Sequence, residues 1–366
     1  MEIKRLTMHV VEMPLKAPFY THLETVTRRE AILIEVEDTS GRVGWGEASA
    51  FSTPWYTEET VATEWHTIKD ILFPLVKKYP IHHPSDVSTL FKAVRGNQMA
   101  KAGVESALWD LYAKRMEQPL FEVLGGTRAS ISVGAVASGQ TTDEMLERIQ
   151  SHVENGYGRI KIKISRGHDF KVLEAIRQAY PHISLMADAN SAYTIEDITH
   201  LKALDAYKLM MIEQPFEAED MWDHRKLQGE IETAVCLDES IRSLHDTRCA
   251  VEMKACQVIN LKYSRVGGIT EAKRIHDYCR MKRIDLWAGG MIEFGISRAH
   301  NAALASLPGF TMPGDIVSTD YYWEEDFIEP GIFVQNGRIH LSKKPGIGFE
   351  VNRERIERKR KAVHSA

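Results

Sequence analysis

Polar and apolar positions follow three successive rhythms along this chain, and each predicts a different kind of element. EIKRLTMHVVEM (2–13) and REAILIEVED (29–38) alternate apolar with polar, the period of strands. TSGRVGWGEAS, which follows, carries the turn residues of a hairpin. Between 58 and 125 the apolar positions fall at helical spacing, in TEETVATEWHTIKDILFPLVKKY and in AKAGVESALWDLYAKRM, where Leu108, Leu111 and Tyr112 share one stripe. Pro119 and Gly125–Gly126 close that part. From about 130, short and nearly continuous apolar runs alternate with helical patterns. The runs are ISVGAVA (131–137), RIKIKI (159–164), SLMADA (184–189), LMMIEQ (209–214), AVCLDE (234–239), QVINLK (257–262), IDLWAG (284–289) and FTMPGD (310–315). Eight such runs predict a (β/α)8 barrel, since strands covered on both faces lose the polar half of the alternation. The reading is an α/β fold with an α+β domain over 1–127, a barrel over 128–325, and a tail over 326–366 that returns to strands and packs back on the first domain.

The spacing of charged residues adds chemistry. Asp188, Glu213 and Asp238 lie 25 residues apart, each ending an apolar run; the same step back reaches Lys163, and 24 residues onward lies Lys262. About 25 residues hold one βα unit, so these side chains recur at the carboxyl ends of successive parallel strands and converge on one mouth. In RIKIKI the isoleucines take one face and Lys161 and Lys163 the other. The isoleucines must meet the helices, so both ammonium groups point into the barrel. Taken singly, each acid could be a helix cap and each lysine could reach for solvent. Together, clustered carboxylates repel one another unless a cation neutralises them. Oxygen donors without His or Cys favour magnesium or manganese over zinc. Such an ion, with an open position, can hold a substrate carboxylate while a lysine removes the adjacent proton. Lys161 and the ion would supply the positive charge that lowers a neighbouring lysine's pKa. Asn190, two residues beyond Asp188 on the same face, is a candidate substrate contact. Glu239 faces away from Asp238 and is assigned a supporting position.

Composition narrows the partners. A net charge of −5 gives no reason to expect nucleic acid, and the basic run RERIERKRK (353–361) reads as a solvated terminal helix. No stretch approaches the length of a membrane span and the N-terminus lacks a leader-like apolar core. Cys236, Cys249, Cys256 and Cys279 form no CxxC pair and read as buried thiols of a reducing compartment, which points to the cytoplasm.

With KIK at 161–163, DAN at 188–190, EQP at 213–215, DES at 238–240 and NLKYSRVGGI at 260–269, the chain resembles the muconate-lactonising subgroup of the enolase superfamily. GWGEA (44–48), ALWDLYAK (107–114) and PGIGFEV (345–351) extend the likeness over essentially its whole length. The resemblance implies a capping domain closing over a modified TIM barrel, magnesium on Asp188, Glu213 and Asp238, and an acid/base pair in Lys163 and Lys262. It also implies self-association. PWYTEET (54–60) and GGMIEFGISRA (289–299) look like the family of o-succinylbenzoate synthases and N-succinylamino acid racemases. That family's substrate is a small carboxylate, and its dehydration belongs to menaquinone biosynthesis. Tyr56, Arg265, Gly289 and Met291 are then candidate substrate contacts, with Tyr20 and His22 as lid candidates. Tyr263–Ser264 departs from the proline-containing turn common in the subgroup, which affects the loop more than the chemistry.

Rival readings fare worse. A sugar-acid dehydratase would want a histidine where Trp287-Ala288-Gly289-Gly290-Met291 stands, and a dipeptide epimerase would want paired aspartates where only Asp315 occurs. A muconate cycloisomerase would share the lysines and stays open. A Schiff-base aldolase would not need three acids, and a non-catalytic scaffold would not need the complete set.

Overall fold

The computed structural model describes residues 1–20, 23–139 and 141–366; Thr21, His22 and Gln140 lie outside the described residues. Three antiparallel strands open the chain: β1 (Ile3–Tyr20), β2 (Thr25–Asp38) and β3 (Val43–Ala48). The C-terminal strand Arg360–Ser365 adds to the free edge of β1, pairing Thr7 with Ser365 and His9 with Val363. One face of this sheet carries Leu6, Met8, Ile32 and Ile34, fully buried against Leu72, Phe73, Leu108 and Leu111 of the helical segment that follows. Each such side chain taken from water is worth about 1.5–3 kcal/mol, so this layer is a core in its own right.

The second layer system is a parallel sheet. β4 (Ser130–Ser132) leaves it to pair antiparallel with Arg338–His340. β5 (Ala135–Ala137), β6 (Ile160–Lys163), β7 (Leu185–Asp188), β8 (Met211–Glu213), β9 (Ala234–Leu237), β10 (Val258–Leu261) and β11 (Asp285–Ala288) then form seven consecutive parallel strands in chain order. The run at 131–137 is therefore two strands rather than one. The eighth predicted strand, 310–315, is reduced to single bridges, Leu286 with Phe310 and Val133 with Gly314. Pro313 supplies no N–H, so a ladder cannot propagate there; the segment still spans the gap between β11 and the 131–137 run. Outward residues such as Ile160 and Ile162 pack with helix residues Leu173 and Ile176. Inward, Met186, Met211, Cys236, Val258 and Trp287 form a separate buried plug. No helix among the described residues is long and apolar enough to cross a membrane.

The first domain grips the barrel through buried carboxylates. Glu47 of β3 accepts from the N–H groups of Phe294 (2.9 Å) and Ser297 (3.0 Å) at the start of the barrel helix Gly295–Ala305. Glu105, on the helix Gln98–Arg115, accepts from Thr270 N–H (3.2 Å) at the start of Ile269–Lys282. Both satisfy donors that a helix leaves unpaired at its first turn. Gly268 must be glycine here: its φ is +129°, and a Cβ would stand 2.0 Å from a Glu105 oxygen. Burial pushes Glu105 up to about 7, and its Oε1 has no hydrogen-bond partner. A carboxyl held above its ordinary 4.5 binds a proton more readily in the folded state. Its contribution to stability thus falls as pH rises from the unfolded value to about 7. Glu105→Gln is expected to unfold later than the parent at pH 8, by up to about 3 kcal/mol, with the difference vanishing near pH 4.5; urea titrations at both pH values check this.

Candidate active site

Strand parity builds the site. Asp188 stands two residues beyond Met186, Glu213 two beyond Met211, Asp238 two beyond Cys236, and Lys262 two beyond Asn260. The inward plug therefore continues upward as a layer of ionisable groups. Register aligns the layer: Lys163 pairs with Asp188 across β6 and β7, and Asp188 with Glu213 across β7 and β8. The turns beyond these strands are tight, with φ of +41° at Asn190, +64° at Ser191 and +40° at Gln214. Non-glycine residues in this region mark a backbone held by its surroundings. Gln214 shows how: its Oε1 accepts from Asp238 N–H (3.0 Å) and its Nε2 donates to Ser240 Oγ (2.8 Å), linking two strand ends.

Within the layer, charges are matched in pairs. Lys163 Nζ donates to Asp188 Oδ2 at 2.6 Å and also to Asn190 Oδ1. Lys161 Nζ lies 3.4 Å from both Asp188 and Glu213 and is ion-paired with Asp315. Lys262 Nζ donates to Asp238 Oδ2 and to Tyr56 Oη, each at 2.8 Å. Arg265 bonds the other oxygen of Asp238, and Asn260 Nδ2 donates to Glu213 Oε1 at 2.7 Å. Burial works to raise Asp188, but Lys163 and Lys161 hold it down at about 2. Burial, reinforced by the Asp188 charge, pushes Glu213 up to about 8.

Lys161 and Lys262 shift upward, opposite to the lowering that neighbouring positive charge would cause. Burial works to lower Lys161 and Lys262, yet Asp315 for the first and Asp238 for the second hold them above the usual lysine range. The dominant neighbours in this arrangement are carboxylates, and they stabilise the ammonium form.

A cleft with roughly 720 Å³ of empty space, part of it open to solvent, lies over this layer. Lys161, Lys163, Lys262, Asp188, Asp238 and Asn190 line its polar floor, and Met291 and Tyr56 line it as well. Glu213 lies beneath, fully buried. Gly289, Arg265 and Glu239 are not among the lining residues. Gly289 instead makes room: a Cβ there would be 1.9 Å from Asn260 Oδ1 and 2.7 Å from Lys262 Cε. Arg265 is buried beside Asp238, and Glu239 accepts from Asn190 Nδ2 at 3.1 Å, with burial pushing it up to about 7. Tyr20 is 63% exposed and outside the cleft, and His22 lies outside the described residues.

Several contributors were not anticipated. Arg159 has the parity of Lys161, is buried over the Trp287 ring (4.7 Å to its centroid) and pairs with Asp315. Asn260 has the parity of Lys262, and both could have been found by extending the face argument two residues down. The apolar wall, Phe19, Phe51, Trp55, Val136, Ile292 and Tyr322, comes from segments remote from one another in sequence.

Among the described residues, no three Asp, Glu, His or Cys side chains stand arranged to hold an ion as they now lie; ammonium groups occupy the carboxylate oxygens. The donor set nonetheless fits a hard divalent cation. Three carboxylates end adjacent strands, all their donors are oxygen, and Glu213 is under-compensated.

A capped parallel barrel with acids at the centre of its mouth and lysines on either side is the architecture of an enzyme for small molecules. The chain belongs to the enolase superfamily. Residues 144–355 match the family described as enolase C-terminal domain-like, and residues 4–125 match the mandelate racemase / muconate lactonizing enzyme N-terminal domain. It is 52% identical over 353 residues to the o-succinylbenzoate synthase of Bacillus subtilis, covering 96% of this chain and 95% of that protein. It is 40% identical to the N-succinylamino acid racemase of Thermus thermophilus, covering 98% and 97%. A solved enolase-superfamily structure from Listeria innocua superposes with a TM-score of 0.97 at 40% identity, covering 100% of this chain and 99% of that one. Gly289→Ala, which pushes on Lys262 and Asn260, is expected to lower turnover by up to about 100-fold, the scale of loss when a reacting group is displaced by an ångström. Steady-state rates measured alongside a thermal melt check that the fold survives.

Proposed function

We propose that the enzyme dehydrates a succinyl-substituted hydroxycyclohexadiene carboxylate to 2-succinylbenzoate, a step of menaquinone biosynthesis, in the cytoplasm. The observation that carries this is geometric. Lys163 and Lys262 line one cleft, and the sheet order β6-β7-β8-β9-β10 sets them on either side of the three strands that end in carboxylates. The reading is supported by the identity to synthases over nearly the whole chain.

Asp188, Glu213 and Asp238 would hold a divalent ion, magnesium by preference for an all-oxygen set. When bound, the ion supplies Lewis acidity that makes a proton next to a carboxylate easier to remove. The chain's own groups do the rest. Lys163 is the freer of the lysines, its side chain 35% exposed against 9% for Lys161 and Lys262. It takes the α-proton and returns one to the departing hydroxide, so that water leaves. Lys262, fixed by Asp238 and Tyr56, keeps its charge and balances the negative charge that develops on the substrate carboxylate. Lys161, held by Asp315, adds further positive charge to the floor. The aromatic wall packs the ring and excludes water.

The same two lysines suit racemisation of N-succinyl amino acids by removal and return of a proton from opposite sides, and the 40% identical Thermus relative bears that name. Rates on the cyclohexadiene precursor and on N-succinyl amino acids, measured side by side, separate the two. Dehydration is expected with magnesium and lost with EDTA. Lys163→Ala is expected to lower it by about 10²–10⁴-fold, the usual share of a positioned acid–base group, and Lys262→Ala by about 10²–10³-fold, the scale of a lost electrostatic donor. Fast racemisation without dehydration would establish the racemase reading instead.

A further inference from the structure

We infer that Arg29, which touches none of the ionisable groups on the cleft floor, is a specificity-setting positioning residue that clamps the two halves of the apolar wall together. Arg29 lies on β2 and is 1% exposed. Its guanidinium donates to four backbone carbonyls drawn from three segments. Nε reaches Ile292 O at 2.6 Å, Nη1 reaches Glu30 O and Ala50 O at 2.6 Å each, and Nη2 reaches Ser49 O. Its Cζ also lies 4.4 Å from the centroid of the Phe51 ring.

The placement matters because of what those segments carry. Phe51, following Ala50, is one of the capping domain's contributions to the cleft wall, beside Phe19, Trp55 and Tyr56, and Ile292 with Met291 is part of the barrel's. The two come from opposite sides of the domain boundary, so their separation sets how much apolar bulk the cleft accepts. A planar cation with five fixed donors can hold such a separation; an ammonium group, with three donors at one point, cannot reach all four carbonyls. Burial lowers the Arg29 guanidinium, and the carboxyls of Glu47, Glu64, Glu293 and Glu30 act against that through space. The strong contacts are to main chain, which suits a spacer rather than an ion-pair switch.

This inference rests on the proposed function, since it concerns the body of the substrate that the floor chemistry acts on. The test is Arg29→Lys, assayed on the cyclohexadiene precursor and on N-succinyl amino acids of graded side-chain bulk. Arg29→Lys is expected to raise KM for the precursor about tenfold while kcat stays within about threefold, the signature of lost binding rather than lost chemistry. The ranking of the N-succinyl amino acids by size should shift, and adding Phe51→Ala should leave Arg29→Lys with little further effect, because both act on one wall. Unchanged KM and ranking, a fall in kcat alone, or full additivity with Phe51→Ala would overturn the clamp. Should Arg29→Lys fail to fold by circular dichroism, Phe51→Ala alone must shift the same ranking, and no shift would overturn it too. Wild-type protein inert on every one of these substrates would instead sink the proposed function.

Discussion

Burying like charges side by side is the constraint around which this molecule is organised. Asp188, Glu213 and Asp238 are each 2% exposed or less at the ends of adjacent strands, where isolated carboxylates would lose several kcal/mol of hydration apiece. They persist because strand parity turns Lys161, Lys163 and Lys262 toward them, with Arg265 and Asn260 filling remaining oxygens. Compensation is uneven. Asp188 and Asp238 are held below the usual carboxylate range by their cations, while Glu213 is pushed up by burial and by Asp188. That imbalance is what an added divalent ion would relieve.

The same economy recurs where the domains meet. Glu47 and Glu105 leave the first domain and end on the opening turns of two barrel helices, the ones that follow β11 and β10. β10 brings Lys262 to the mouth, and the loop after β11 supplies Met291 and Ile292. Docking the cap therefore positions both a lysine and part of the apolar wall. Arg29 completes the arrangement from the other side of the boundary, bonding main chain in both domains.

A division of labour follows. The barrel supplies the charged floor, whose geometry is dictated by strand register. The cap supplies Phe19, Phe51, Trp55 and Tyr56 and so shapes what the floor can be offered. Tyr56 belongs to both roles, since it lines the cleft and bonds Lys262 and Arg265. Under the proposed function, dehydration and racemisation make the same demand on the floor, and the difference between their substrates falls on the wall.

The sequence by itself determined the barrel and the composition of its floor, because a period of two residues within strands and a period of about 25 between them are local facts. Lys163, Asp188, Glu213, Asp238 and Lys262 could be assigned to one layer, and Lys161 to the same face one step below it, without coordinates. The closing of the barrel could not be read: 310–315 has an apolar look, but Pro313 denies it a ladder and leaves bridges only. Nor could the directions of the lysine pKa shifts, which depend on Asp315 arriving beside Lys161 from 154 positions away and on Asp238 facing Lys262. Gly289 illustrates the limit: it resembles a substrate contact in its motif, yet it serves by yielding space to Asn260 and Lys262. Tertiary structure alone decided the apolar wall and the Arg29 clamp, because those contacts join segments with no shared periodicity, and only packing brings them together.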